Sequence, residues 1–428
     1  MEIALTTLTP IWTGNIDKSS INIIENGILG SIRWWAEAIN RGSDYTSCDP
    51  TNDDYQCPQN INNRNKYCLS CFIFGATGKR RLFKIQLEGG DSLFQQYIQI
   101  KPNRRNRGWY YPGSGIMGDI SIKIIPLNRI FKNEYVTLPV SIASKLGGIG
   151  AKNQLGYGVS NLNKIPDINI NEYFNSELKH NPNIRKNVGN QSRYPNLKDM
   201  FFAKINFKVN SQDWWKKIDG IKNNPKLWKK NEEYYEKWIE QGTIPIYPAI
   251  KNWLRYREGK NLWNTNNNYQ NQRIENFLLG TIKECCPKCF TSGNGLIKDR
   301  YNSNKRWCKN CRESISKNKI LDKIASKIYV SFAYRLDDYS KWEFRIWGWI
   351  PISKNSPLMG RDQFLDRFKN CLNDDSNTNK LWKKLLGSHI ENLELVSWRE
   401  YNSSRDNLNQ IEDYYKYIGS LISEKGGA

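Results

Sequence analysis

The sequence predicts an α+β fold in which one β-α-β-β-α-β unit is used twice. Three observations point to it. Short period-two stretches alternate with helix-period stretches along the chain. Each half has a strand followed by a basic-aromatic helix, SIRWWAEA from Ser31 and AIKNWLRY from Ala249. Each helix is followed by an FG-type segment beside a cysteine-bearing insert, CFIFGATGKRR from Cys71 and NFLLGTIKE from Asn276. That order, repeated, is a tandem ferredoxin-like (RRM-like) arrangement. A length of 428 residues favours two such units with inserts over a single core.

The elements follow in chain order. Ile3 to Trp12 reads as a first strand ending at Thr13-Gly14. From Gly27 to Arg41 the residues Ile28, Leu29, Ile32, Trp35, Ala36 and Ile39 recur at three- and four-residue spacing, which predicts a helix with Arg33, Trp34 and Glu37 off the apolar stripe. Arg81 to Leu87, Tyr97 to Lys101 and Asp119 to Pro126 read as strands, and Val140 to Leu146 as a helix. The run GGIGAKNQLGYG, Gly147 to Gly158, closes the first unit. The Asn-, Lys- and Pro-rich stretch after it has little periodicity, the mark of a linker. Met200 to Val209 then predicts a strand, Asp213 to Gln241 a charged Trp-rich helix, and Pro248 to Arg257 a second amphipathic helix. Ser326 to Leu336 with Lys341 to Pro351 predicts a hairpin whose Trp342, Phe344 and Ile346 fill a core; a helix around Phe364 to Leu372 and a strand at Leu393 to Trp398 complete the unit. The expected division is 1–160 with a Cys-rich insert at 44–71, a linker at 161–196, and 197–428 with a helical insert at 211–241 and a zinc-knuckle insert at 284–313.

Composition narrows the function. Lys and Arg number 64 against 42 Asp and Glu, a formal charge of +22 that recruits polyanions, nucleic acid first among them. The hydrophobic fraction is only 39%, but 16 Trp, 23 Tyr and 15 Phe supply the bulk that disordered chains lack. No run of about eighteen apolar residues appears, and no basic-then-apolar leader opens the chain, so the expectation is a cytoplasmic protein without a membrane partner. The histidines are two, His180 and His389, both far from other catalytic candidates. Chemistry that needs an imidazole base has little to work with.

Cys286, Cys289, Cys308 and Cys311 form C-x2-C, eighteen residues, C-x2-C. Two knuckles at this spacing bring four thiolates onto one Zn²⁺ and leave no open position, which predicts a structural metal. Cys285 adjoins the first knuckle, but the Cys286-Pro-Lys-Cys289 turn is the better match. Cys48, Cys57, Cys68 and Cys71 are spaced by eight, ten and two residues, so a second zinc and a set of ordinary buried thiols both stand open. The glycine run, with Lys145 before it and Lys152 inside it, lacks a P-loop ending and suits either a phosphodiester backbone or a simple chain reversal. Two cationic runs, Lys79, Arg80 and Arg81, and Arg104, Arg105 and Arg107 followed by Trp109, Tyr110 and Tyr111, combine phosphate-neutralising charge with rings that stack on bases. Taken singly, such runs are also what a solvated surface looks like.

Several of these segments together resemble the CRISPR RAMP superfamily, and within it the subunit-one group of type III-B (Cmr) effector complexes. They are LTPIWTG, ILGSIRWW, CFIFGATGKRR after its preceding cysteines, GGIGAKNQLGYG, IPIYPAIKNWLRY and WEFRIWGWIP. The resemblance spans roughly Met1 to Gly158 and Lys198 to Glu400. It implies a non-catalytic RNA-binding subunit in antiviral defence, beside another RAMP subunit near the 3′ end of the guide RNA, helping to engage target RNA. Residue by residue it implies RNA contacts at Gly147, Gly148, Gly150, Gly156 and Gly158 with Lys145 and Lys152, at Arg33, and at Lys79, Arg80 and Arg81. The C-terminal cysteine insert is not among the segments that carry the resemblance, so its zinc rests on spacing alone. Two alternatives remain: a RAMP endoribonuclease that processes guide precursors, and a zinc-ribbon protein of the ribosome or transcription machinery.

Overall fold

The computed structural model describes residues 1–14, 20–43, 45, 47–49, 56–58, 66–92, 97–102, 108–111, 115–164, 167–174, 178, 180–185, 194–262, 273–336, 339–351, 360–373 and 378–423. It is a mixed α+β structure whose sheets are antiparallel throughout their named pairings. Strand β1 (Glu2–Thr7) leads to α1 (Glu25–Gly42), then α2 (Leu69–Phe74), β2 (Phe83–Ser92), a side hairpin of β3 (Ile98–Ile100) and β4 (Trp109–Tyr111), β5 (Ile116–Pro126), α3 (Glu134–Leu146) and β6 (Ser160–Leu162). The first sheet has the order β2-β5-β1-β6, with Ile3 opposite Ile122 and Leu87 opposite the same Ile122 on its other side. Ile3, Leu5, Ile85, Ile120, Ile122 and Ile124 enter one core with Ile28, Ile32, Trp35 and Ile39 of α1. These are the period-two and helix-period positions of the sequence.

The second half runs through α4 (Ile170–Tyr173), β7 (Met200–Val209), α5 (Pro225–Lys229), α6 (Glu232–Glu240), β8 (Thr243–Ile244), α7 (Tyr247–Tyr256) and α8 (Ile274–Leu279). A small meander of β9 (Leu296–Lys298), β10 (Lys305–Cys308) and β11 (Glu313–Ser316) follows. Then come β12 (Ile328–Val330), β13 (Ala333–Arg335), β14 (Lys341–Trp349), α9 (Arg361–Asn373), α10 (Thr378–Leu386), β15 (Ile390–Glu400) and α11 (Tyr414–Ser423). The large sheet has the order β15-β7-β14-β13-β8, with β12 also on β14.

All of β14 beyond Lys341 is buried, because both faces of this sheet are covered. Trp342, Phe344 and Ile346 point into the second core with Ile205, Phe207, Trp382 and Leu385. Their alternates Trp347 and Trp349, with Met200 and Phe202, enter the first core, where Phe202 stacks on Trp35 at 6.3 Å. One sheet thus floors its own core and roofs the other.

Two expectations are modified. The charged segment 211–241 is not one helix: a 3-10 turn at Trp214–Lys217 gives way to Gly220 at φ +100°, and Pro225 restarts the chain as two short helices. Within 161–196, expected as a linker, Tyr173, Phe174, Leu178 and Ile184 are buried in the first core. The last helix, α11, also packs there through Tyr417, Ile418 and Leu421, and Tyr414 Oη donates to Ile39 O at 2.6 Å. No helix among the described residues is long and apolar enough to cross a membrane.

Candidate nucleic-acid interface and cysteine centres

The glycine run lies where the two cores meet, and its glycines are demanded by close packing. A Cβ at Gly147 would collide with the Trp35 ring, and one at Gly156 (φ +106°) with the Phe332 ring. Gly148 and Gly158 sit against each other's backbone surroundings: Gly148 against Tyr157 O, Gly158 against Ile149 O. Gly150, at φ +90°, presses on Trp12 O. Several of the loop's amides are engaged within the fold, Ile149 N with Gly158 O, Ala151 N with Trp12 O and Gly158 N with Pro10 O. The run is therefore a folded plug between halves, which accounts for its glycines without an anion.

Its cations are equally committed. Lys145 is buried and its ammonium donates to Ile422 O. Lys152 takes a left-handed conformation at φ +57° and lays its ammonium 3.5 Å from the centre of the Trp12 ring, where burial pushes its pKa down. Arg33 donates from Nε to Glu37 at 2.9 Å, from Nη1 to Gly75 O at 2.9 Å and from Nη2 to Cys71 Sγ at 3.1 Å. The turn it holds carries Lys79, whose ammonium lies over Phe72 at 4.2 Å, exposed Arg80 and half-buried Arg81. Tyr110 is exposed beside Tyr97, at 6.3 Å between rings. Arg104, Arg105 and Arg107 lie outside the described residues.

A cleft of about 790 Å³ gathers a different set. Gln154 and Leu155 from the glycine run and Trp109 from β4 face Tyr247, Arg255 and Tyr256 of α7, the turn Leu279 to Lys283, Ser292, and the segment Lys323 to Ser326 with Tyr329. Lys283 and Lys323 are exposed, Tyr256 is 44% exposed, and Trp109 meets Tyr247 edge to face at 4.9 Å. Among the described residues, none that lines it is Asp, Glu or His. Cations and rings without acids are what a single nucleic-acid strand needs for phosphate contact and stacking. Of the residues expected from sequence, Trp109 and the neighbourhood of the glycine run reach this cleft; Arg33 and Lys79 to Arg81 do not line it.

The residues that sequence reasoning missed belong to the second copy of a motif it had recognised. Arg255 donates from Nη1 to Asn276 Oδ1 at 3.0 Å and from Nη2 to Gly280 O at 2.7 Å. Gly280 (φ +78°) ends α8 as Gly75 (φ +89°) ends α2. In both halves a helix arginine grips the glycine carbonyl that terminates a six-residue helix, and a cationic turn follows. The gripping residue differs in register: aligning IRWW with IKNW puts Lys251 opposite Arg33, yet Arg255, one turn later, does the work. Lys251 is instead buried against Ser326 Oγ, and burial with neighbouring Arg255 drives its pKa well down.

Both cysteine sets converge: within each, all four sulfurs lie within 4.8 Å of one another. In the C-terminal set, Cys286 to Cys311 and Cys289 to Cys308 are 3.5 Å apart and Cys289 to Cys311 3.4 Å. Its two knuckles are alike. Phe290 (φ +58°) and Arg312 (φ +56°) each turn left-handed after the second cysteine and return an amide to the first cysteine's carbonyl, at 3.0 and 2.8 Å. Burial raises the Cys286 thiol to about 11; at Cys289 it is outweighed by hydrogen bonds from Thr291, which bring it to about 6. Cys285 stays outside, packed with Phe290 and Ile324. An all-sulfur donor set of this size suits a thiophilic cation.

Comparison with known proteins adds the following. No curated protein matches the chain. Solved structures similar to it include Cmr1 from Pyrococcus furiosus in its apo form, 13% identical over 85% of this chain and 95% of that one, TM-score 0.31. The Type III-B Cmr-beta bound to cognate target RNA and AMPPnP in the presence of ssDNA is 11% identical, covering 87% and 99%, TM-score 0.37. The Type III-B Cmr-beta bound to cognate target RNA is 10% identical, covering 86% and 98%, TM-score 0.36. Residues 4–162 match the model of the RAMP superfamily.

Proposed function

We propose that the chain is a non-catalytic RNA-binding subunit of a type III-B CRISPR (Cmr) effector complex, built from two ferredoxin-like units and gripping guide or target RNA in the cleft between them. Supporting the fold reading, the strand order β2-β5-β1-β6 and the path β15-β7-β14 with β12 and β13 beyond it are what a β-α-β-β-α-β unit gives when its last strand flanks its first. Supporting the partner is the RAMP match over residues 4–162 with the family motifs in both halves. The observation that carries the RNA reading is the cleft of Trp109, Tyr256, Arg255, Lys283 and Lys323, free of acidic and imidazole side chains among its described lining. The C-terminal knuckles suit Zn²⁺ in a structural role, anchoring the insert that supplies Ser292 to the cleft rim.

The test is titration of a labelled single-stranded RNA followed by anisotropy at rising salt. Affinity should fall linearly on a log-log plot with a slope of about −0.7 per phosphate contact. Replacing Lys283→Glu with Lys323→Glu should weaken binding about tenfold or more, while Lys164→Glu in the Asn-rich stretch leaves it unchanged. Equal effects of the two changes, or RNA cut by the purified chain, would contradict the reading.

A further inference from the structure

The N-terminal cysteines occupy a setting that neutral thiols do not require. Cys48, Cys57, Cys68 and Cys71 are all buried inside the first core, and Cys48 and Cys71 are 3.3 Å apart. Tetrahedral binding with metal–sulfur bonds of about 2.3 Å places sulfurs roughly 3.8 Å apart, within the 4.8 Å that encloses all four sulfurs here. Three backbone amides point at the sulfurs: Cys48 N to Cys68 Sγ at 3.3 Å, Cys68 N to Cys57 Sγ at 3.3 Å, and Cys71 N to Cys68 Sγ at 3.4 Å. A neutral thiol is a weak acceptor, whereas a thiolate takes several such bonds. Cys68 even serves as the N-cap of α2, its sulfur in the place of the usual oxygen.

Charge makes the same case. Four thiolates around a divalent ion leave a net charge of −2 inside an apolar core, which is costly unless cations sit beside it. Two guanidinium groups do: Arg33 Nη2 is 3.1 Å from Cys71 Sγ, and Arg185 Nη2 is 3.7 Å from Cys57 Sγ. Arg33 is also the side chain that holds Gly75 O, and through it the turn carrying Lys79, Arg80 and Arg81. At the C-terminal set the corresponding residue, Arg255, bonds Gly280 O and Asn276 Oδ1.

We propose that Cys48, Cys57, Cys68 and Cys71 form a second tetrathiolate centre for a thiophilic divalent cation of the zinc class. Arg33 is its outer charge partner, so that metal binding sets the cationic turn Gly75 to Arg81. The centre is a positioning device, and its metal count does not depend on what the protein binds.

Metal analysis and cadmium NMR of the whole, unmutated chain test it first. Two ions per chain and two tetrathiolate cadmium signals are expected; one ion and one signal would overturn the proposal. Cys57→Ser should remove one ion of the two, and retention of both overturns it. Arg33→Ala should keep both sites but loosen the N-terminal one by about 10–100-fold, the usual cost of losing an outer partner. It should also speed amide exchange across Ala76 to Arg81. Unchanged affinity and exchange in this variant would remove Arg33 from the role.

Discussion

A single methyl group at Gly156 would meet the Phe332 ring and its backbone amide while forcing an L residue to φ +106°. Gly156→Ala should therefore cost roughly 1–3 kcal/mol, visible as a lowered thermal midpoint, and should reduce RNA affinity because Gln154 and Leu155 are displaced with it. Lys327 offers a second residue-scale test. Its ammonium is buried, donates to Phe277 O at 3.2 Å and lies 4.0 Å from the Phe277 ring centre, and burial lowers its pKa to about 8. The unfolded chain, with a lysine near 10.4, binds more protons between these values, so stability rises with pH there and the penalty is fully present below the folded pKa. The stability of Lys327→Met relative to the parent should accordingly fall by roughly 2 kcal/mol from pH 7.5 to 10, measured by urea unfolding at each pH. A pH-independent difference would show that Lys327 is charged in the fold at all these values.

Among elements, the contact between α3 and β14 joins the halves. Arg345 projects from β14 away from Trp342, Phe344 and Ile346, as strand alternation dictates, and donates to Ser144 O and to Gly147 O at the end of α3. These are carbonyls that a helix C-terminus leaves without intrahelical partners. Its Nε donates to Tyr334 Oη at 2.9 Å, and Tyr334 bonds Glu343, so the network is buried and internally matched. Removing one member strands the others, and Arg345→Met should destabilise by about 3–5 kcal/mol, read as loss of cooperative unfolding between the two cores. The elements themselves were legible: Met200–Val209 and the apolar stripe of α1 follow directly from periodicity. Arg345 was not, because nothing in the local pattern WEFRIWGW says that the strand's second face meets a helix end some 200 residues earlier. The surroundings of Lys145 were hidden for the same reason; a lysine beside glycines resembles a phosphate ligand, and only the fold brings Ile422 O of α11 to accept a hydrogen bond from its ammonium.

At the scale of the whole molecule, two cores share one sheet, and a cationic, ring-lined cleft sets Trp109, Gln154 and Leu155 against α7, the Leu279 to Lys283 turn and Lys323 to Ser326. The SIRWW and AIKNW helices were legible in the sequence, and so was the spacing that brings Cys286, Cys289, Cys308 and Cys311 together. The convergence of the N-terminal cysteines was only half legible, since they come from a loop and a helix start, which impose no fixed spacing. Which of the two repeated turns lines the cleft lay beyond the sequence, because both follow an arginine-held glycine and both are basic. The most direct measurement of the central claim is photocrosslinking of thiouridine-containing single-stranded RNA, with the attached peptides mapped by mass spectrometry. Crosslinks should concentrate at Trp109 to Tyr111, Gln154 to Gly158, Thr281 to Lys283 and Lys323 to Tyr329. Crosslinks that avoid all four and gather instead on α9 and α10, none of whose described residues lines the cleft, would contradict the account.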